Sequence, residues 1–177
     1  MALRKASSYS RKKARPYTRN SKSKAKAYIK TVPIVKIAKY TSGSARDFEE
    51  NKHPYVVKLM SDEAIQIRDN ALEAARMYLV KMMDRGALGQ YFLSVKVHPH
   101  HMLRENKTAA GAGADRLSSG MTHSFGITIG RAAIVTPGTE IFMISVPNEK
   151  AARDARDALV SVSSKMPCRG RIVFERR

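Results

Sequence analysis

Three features of this 177-residue sequence predict an α+β fold, a two-layer sandwich of a mainly antiparallel or mixed sheet with two helices on one face. Short strand-like segments recur along it, the clearest with strict alternation between an apolar and a more polar side. Two longer stretches carry apolar residues three and four apart, the period of a helix lying on a core. The tetrapeptide Thr136-Pro137-Gly138-Thr139 has proline and glycine where a type II turn wants them, and it predicts a hairpin. A basic arm over residues 1–30 precedes a single domain over 31–177, from which a long flexible loop protrudes at 103–124.

Taken in order, residues 1–30 interleave serine, lysine and arginine with Tyr9, Tyr17 and Tyr28, and contain few aliphatic side chains. Such a segment cannot bury enough apolar surface to order itself alone. Bound to RNA it gains partners, cations on phosphates and tyrosines on exposed bases, reaching up to about 100 Å when fully extended. A solvated tail and a targeting peptide are the rival readings. VPIVKIAKY, residues 32–40, reads as a strand, with Pro33 placing it at an edge or a strand entry. Residues 41–53 read as a connection, and YVVKLM, 55–60, as the next strand.

Ser61 offers an N-cap to a helix over about 62–85, with Asp62 and Glu63 in its first turn. Ile67, Ala71, Ala75, Tyr78 or Leu79, and Met82 form its apolar face, Gln66, Asp69, Glu73, Arg76 and Asp84 lie opposite, and Gly86 is the expected C-cap. YFLSVKVHP, 91–99, is the clearest strand, with Tyr91, Leu93, Val95 and Val97 on one side. Segments 125–135 and 140–146 are the arms of the expected hairpin. Asn148 precedes a second helix over about 149–164, whose stripe is Ala151, Ala152, Ala155, Ala158, Leu159 and Val162; Pro167 stops it and residues 169–174 give a last basic strand.

The loop at 103–124, LRENKTAAGAGADRLSSGMTHS, has no apolar period, and loops this long in compact domains are usually functional or disordered. Its glycines and alanines keep the main chain accessible while Arg104, Lys107, Arg116 and His123 supply positive or potentially positive charge, which suits approach to a phosphate backbone. A disordered connector is the competing reading. A dinucleotide-binding glycine loop fails on spacing, because Arg116 stands where G-x-G-x-x-G needs its third glycine.

Charge points to a polyanionic partner. Lys and Arg number 33 against 15 Asp and Glu, a net +18, of which the arm carries +11 and the remainder +7. A domain of this size can bury ~70% of the surface its unfolded chain exposes without disulfides or metal. The single Cys168 fits a reducing compartment, and no membrane span or secretory signal is seen, so a soluble cytoplasmic protein is expected.

No catalytic motif emerges. His98, His100 and His101 invite a metal reading, but no C-x-x-C or H-E-x-x-H supplies further ligands, and no metal or other cofactor is expected. Histidines at the base of the loop instead suit stacking on RNA bases or donation to phosphate. Glu105 and Asp115 lack the rigid support a magnesium nuclease requires. Arg169 beside Cys168 would lower the thiol pKa, yet no oriented histidine base accompanies it. An RNA-processing nuclease using His98, His100 and Asp115, and a free nucleic-acid chaperone or DNA-compacting protein, are the rivals to a structural RNA-binding protein.

QIRDNALEAAR (66–76), VKVHPHHMLREN (95–106) and AGADRLSSGM (112–121) followed by Phe125-Gly126 closely resemble the large-subunit ribosomal protein family called L-ten-e in archaea and L-sixteen in bacteria. The likeness covers nearly the whole chain and is closer to the archaeal and eukaryotic branch. The chain stops at Arg177 without the eukaryotic tail, so an archaeal source is expected. The resemblance implies a non-enzymatic α/β sandwich on large-subunit rRNA, in the vicinity of 5S rRNA and among neighbouring ribosomal proteins, that helps position A-site tRNA near the peptidyl-transferase centre. No membrane or small-molecule substrate is expected. RNA contact is expected from Arg4, Lys5, Arg11, Lys12, Lys13, Arg15, Tyr17, Arg19, Lys22, Lys24, Lys26, His98, His100, His101, Arg104, Lys107, Arg169 and Arg171. By the family match, Asp115, Arg116, Ser119, Gly120, Met121 and His123 lie nearest tRNA; Thr122 and His123 stand where eukaryotic members have arginine and glycine.

Overall fold

The computed structural model describes residues 5–11, 31–87, 89–105 and 127–177. Among them the elements are β1 (Thr41–Gly43), α1 (Ala45–Glu49), β2 (Tyr55–Ser61), β3 (Ile65–Arg68), α2 (Asp69–Ala87), β4 (Phe92–Val95), β5 (His101–Glu105), β6 (Ile127–Val135), β7 (Glu140–Val146), α3 (Glu149–Val162) and β8 (Gly170–Arg176). The expected α+β class holds, and every strand pairing among the described residues is antiparallel. The strands divide between a five-stranded sheet, β1-β4-β7-β2-β8, and a three-stranded sheet, β3-β6-β5.

One core lies between the sheets and the two long helices. Val57, Leu59, Leu93, Phe142 and Ile144 of the larger sheet meet Leu72, Ala75 and Leu79 of α2 and Ala155, Ala158 and Leu159 of α3. Small alanines let the helices pack on each other while α3 lies on β2, β7 and β8 and α2 touches β3 and β6. The opposite face of the larger sheet is not bare: Phe48 of α1 stacks on Phe92, ring centroids 4.6 Å apart, over Val56 and Met143.

Several expectations are corrected. The helix starts at Asp69, because Ile65 and Ile67 put their β-branched side chains into the core from a strand and Gln66, expected on the exposed side, is buried. Asp69, also placed outside, is buried as well. Gly86 is helical, and the left-handed conformation after the helix falls to Gly89, at φ +83°. Segments 127–135 and 140–146 do not pair with each other: β7 is buried along nearly all its length and takes β2 and β4 on its two edges, leaving β6 to the smaller sheet. Their turn nonetheless has the expected geometry, with Gly138 at φ +85° and Thr139 N–H donating to Thr136 C=O at 3.0 Å. Residues 32–39, expected as a strand, join neither sheet, since the N–H groups of Lys36 and Ala38 go to carboxylates of α2.

Candidate nucleic-acid interface

The surface that includes the smaller sheet is assembled from segments distant in sequence. Residues 5–11 of the arm lie against β3: Ser10 is buried, its C=O accepts from Gln66 N–H at 3.0 Å, the Gln66 side-chain amide donates to Tyr9 C=O, and the Arg68 guanidinium sits 5.9 Å from the Tyr9 ring centroid. A second strap, residues 31–40, crosses α2 and β6. Asp69 accepts from Lys36 N–H and Glu73 from Ala38 N–H, both at 3.3 Å, while Arg131 Nε donates to Pro33 C=O at 2.7 Å and Thr128 to Thr31 C=O at 3.0 Å. Burial raises the pKa of Asp69, against the lowering by the Lys36 and Asn70 amides. The side-chain hydrogen bond from Arg76 holds the Glu73 carboxyl below its ordinary value.

The histidines divide. His98 and His100 are exposed on either side of buried Pro99, and the Tyr40 hydroxyl lies 2.6 Å from His98 Nδ1. Burial first, then the charges of His100 and Arg131, keeps His98 below its ordinary pKa. His101 instead is buried, its Nδ1 2.7 Å from Gln66 Oε1, and burial followed by Arg104 lowers its pKa. That position joins β5 to β3.

The cations differ in their partners. On the outer face of the five-stranded sheet Lys58 is ion-paired, 2.9 Å from Glu140 and 2.7 Å from Glu175, while Arg177 covers the Phe48 ring at 4.5 Å. The expected Arg169 and Arg171 stand 3.9 Å and 3.6 Å from Glu63 and Asp62. Lys36, Lys39 and Lys96, beside the strap and the histidines, are exposed and form no ion pair among the described residues. Lys5 and Arg11 are exposed and Arg104 is half-buried on β5. Arg4, Lys12, Lys13, Arg15, Tyr17, Arg19, Lys22, Lys24, Lys26, Lys107, Asp115, Arg116, Ser119, Gly120, Met121 and His123 lie outside the described residues.

Tyr40, Arg131 and Gln66 were not singled out as functional by the sequence, because strand-like and helix-like surroundings gave each a bland explanation. Cys168 is half-buried and burial raises its pKa, overriding the expected influence of Arg169. Among the described residues no three of His, Cys, Asp and Glu converge as a metal site would require.

Residues 12–173 match the family described as ribosomal protein L16p/L10e. A relative from Staphylothermus marinus, named large ribosomal subunit protein uL16, is 43% identical over 99% of this chain and 95% of its own length. Proteins of the same name from Archaeoglobus fulgidus and Pyrobaculum calidifontis are 42% and 41% identical, over 94% and 99% of this chain and 90% and 95% of their own lengths.

Proposed function

Because this chain belongs to the ribosomal protein L16p/L10e family, we propose that its basic arm and strap-side surface bind large-subunit rRNA and that its loop helps position A-site tRNA. It is a structural, non-enzymatic component of the large ribosomal subunit. The observation that carries the RNA reading is the net charge of +18, of which +11 lies in residues 1–30, together with exposed Lys36, Lys39 and Lys96, which form no ion pair among the described residues. Each phosphate neutralised by lysine or arginine releases a condensed counterion, so affinity comes from the arm and the docked surface together. The arm orders between RNA segments, with Tyr17 among its cations, while His98, His100 and Arg104 extend the interface onto the domain. The loop around Asp115, Arg116, Ser119, Gly120, Met121 and His123 faces tRNA near the peptidyl-transferase centre, and the body sits in the vicinity of 5S rRNA.

Co-sedimentation of the tagged chain with ribosomal subunits, before and after a high-salt wash, tests this reading. Stoichiometric recovery with large subunits after the wash is the expected result. A chain that stays at the top of the gradient, or that spreads over DNA, would overturn it in favour of a free nucleic-acid chaperone. Replacing residues 109–119 with a short glycine linker is expected to leave docking intact and impair A-site tRNA binding; failure to dock would assign the loop to rRNA anchoring instead.

A further inference from the structure

Where the chain leaves the five-stranded sheet for the three-stranded one, three rings gather: Tyr40, which also packs against the core, and the exposed His98 and His100. The Tyr40 and His98 centroids are 5.3 Å apart with 31° between ring planes, and those of His98 and His100 are 4.3 Å apart at 60°. Both backbone segments under them are tied down. Val95 N–H donates to Tyr40 C=O at 2.8 Å and Lys96 N–H to Ile141 C=O at 2.9 Å. Pro99, buried between the two exposed histidines, has its φ fixed by its own ring, so both imidazoles project from a rigid base.

The hydrogen bond at this cluster selects between two tautomers of His98. Burial raises the Tyr40 pKa, so the phenol keeps its proton, and at 2.6 Å it can give it to the lone pair of His98 Nδ1. With Tyr40 as the donor, His98, held below its ordinary pKa, is neutral and carries its proton on Nε2. The ring therefore carries an N–H donor on the side away from Tyr40, and an uncharged aromatic surface recognises a base better than it recognises a phosphate. A purely structural cluster would bury these rings, yet His98 and His100 are exposed. Lys39 and Lys96, exposed and close to them in the chain, supply charge for the phosphates on either side of a bound base.

We propose that Tyr40, His98 and His100 form a binding site for one unpaired nucleobase of large-subunit rRNA, stacked against the imidazoles, with His98 Nε2–H donating to an acceptor on the base edge. The site rests on the rRNA-binding reading and makes it specific: a splayed single-stranded nucleotide, not a duplex, meets this part of the surface. Every base has a π face, so selectivity among bases comes from the edge acceptor alone.

Ultraviolet cross-linking of purified large subunits containing this chain, followed by peptide mass spectrometry, tests the site. The expected result is a nucleotide adduct on the peptide containing Tyr40 or on that containing His98 and His100. Adducts confined to other peptides of the chain would overturn the site while leaving the rRNA-binding reading intact, and absence of the chain from large subunits would instead overturn that reading. Fluorescence anisotropy with the full chain supplies a second test, using an oligouridine single strand and an RNA duplex of equal phosphate number. His98→Ala and His100→Ala, both exposed positions, are expected to weaken single-strand binding about tenfold and leave duplex binding unchanged. Tyr40→Phe keeps the ring but removes the proton donor, and should weaken single-strand binding by a smaller factor. Equal weakening on both RNAs would mean charge, not stacking, and would overturn the proposal.

Discussion

At the scale of single residues, Gln66 ties three segments of the chain together. Its Oε1 lies 2.7 Å from His101 Nδ1, its side-chain amide donates to Tyr9 C=O, and its backbone N–H donates to Ser10 C=O. A carbonyl can only accept, so the Tyr9 hydrogen bond fixes the amide orientation and makes His101 the donor from Nδ1. Gln66→Leu keeps the backbone bond to Ser10 but strands buried His101 and the Tyr9 C=O, and should cost about 1–3 kcal/mol in urea denaturation. A pH effect follows from the histidines. His53, His98 and His101 all lie below their ordinary value of 6.5, so as pH falls through that value the unfolded chain binds protons that the folded chain refuses. Their stabilisation is present above about pH 6.5 and is lost on acidification. The thermal midpoint should therefore drop between about pH 7.5 and 5.5, and His101→Gln should reduce that slope.

At the scale of elements, two packing constraints are testable. Gly43 closes β1 at φ +88°, and a Cβ there would come within 2.0 Å of Tyr91 C=O, which also accepts from Ser44 N–H at 2.8 Å. Gly43→Ala should destabilise by more than about 1 kcal/mol, since both the backbone region and the space are closed to it. Where α2 meets α3, Ala75 and Ala155 are fully buried. Leucine at either should cost about 1–3 kcal/mol by overpacking, whereas leucine at exposed Ala74 should stay within about 0.5 kcal/mol of the parent. Equal effects at Ala74 and Ala75 would contradict this packing. The stripes of α2 and α3 were legible because burial repeats at the helical period, and the alternation in YFLSVKVHP was legible for the corresponding reason. The onset of α2 was not. Asp62 and Glu63 read as a first turn, yet what makes 65–68 a strand is its partner β6, which lies about sixty residues away and leaves no local mark.

At the scale of the whole molecule, charge sets the salt response. Changing Lys12, Lys13, Arg15, Arg19, Lys22, Lys24 and Lys26 to glutamine removes most of the arm charge but spares residues 5–11, which help tie β3. RNA affinity should then depend less steeply on salt, by roughly 0.7–0.9 in the log–log slope for each phosphate no longer neutralised, with the unfolding midpoint unchanged. An unchanged slope in filter-binding titrations would show that these cations do not reach phosphate. Arg169→Gln and Arg171→Gln should move the slope less, because Glu63 and Asp62 already stand near them.

The α+β class, the two helical stripes, the turn at Gly138 and the basic, non-catalytic character were all written in local pattern and composition, because period, turn chemistry and net charge are properties of neighbouring residues or of sums over the chain. The family was legible too, through short blocks such as QIRDNALEAAR and VKVHPHHMLREN. The division into two sheets, the separation of β6 from β7, the burial of Gln66 and His101 and the meeting of Tyr40 with His98 across 58 positions depended on tertiary structure. Pairing partners and distant hydrogen bonds are chosen by competition among all surfaces that need covering, and that competition is resolved only when the core closes.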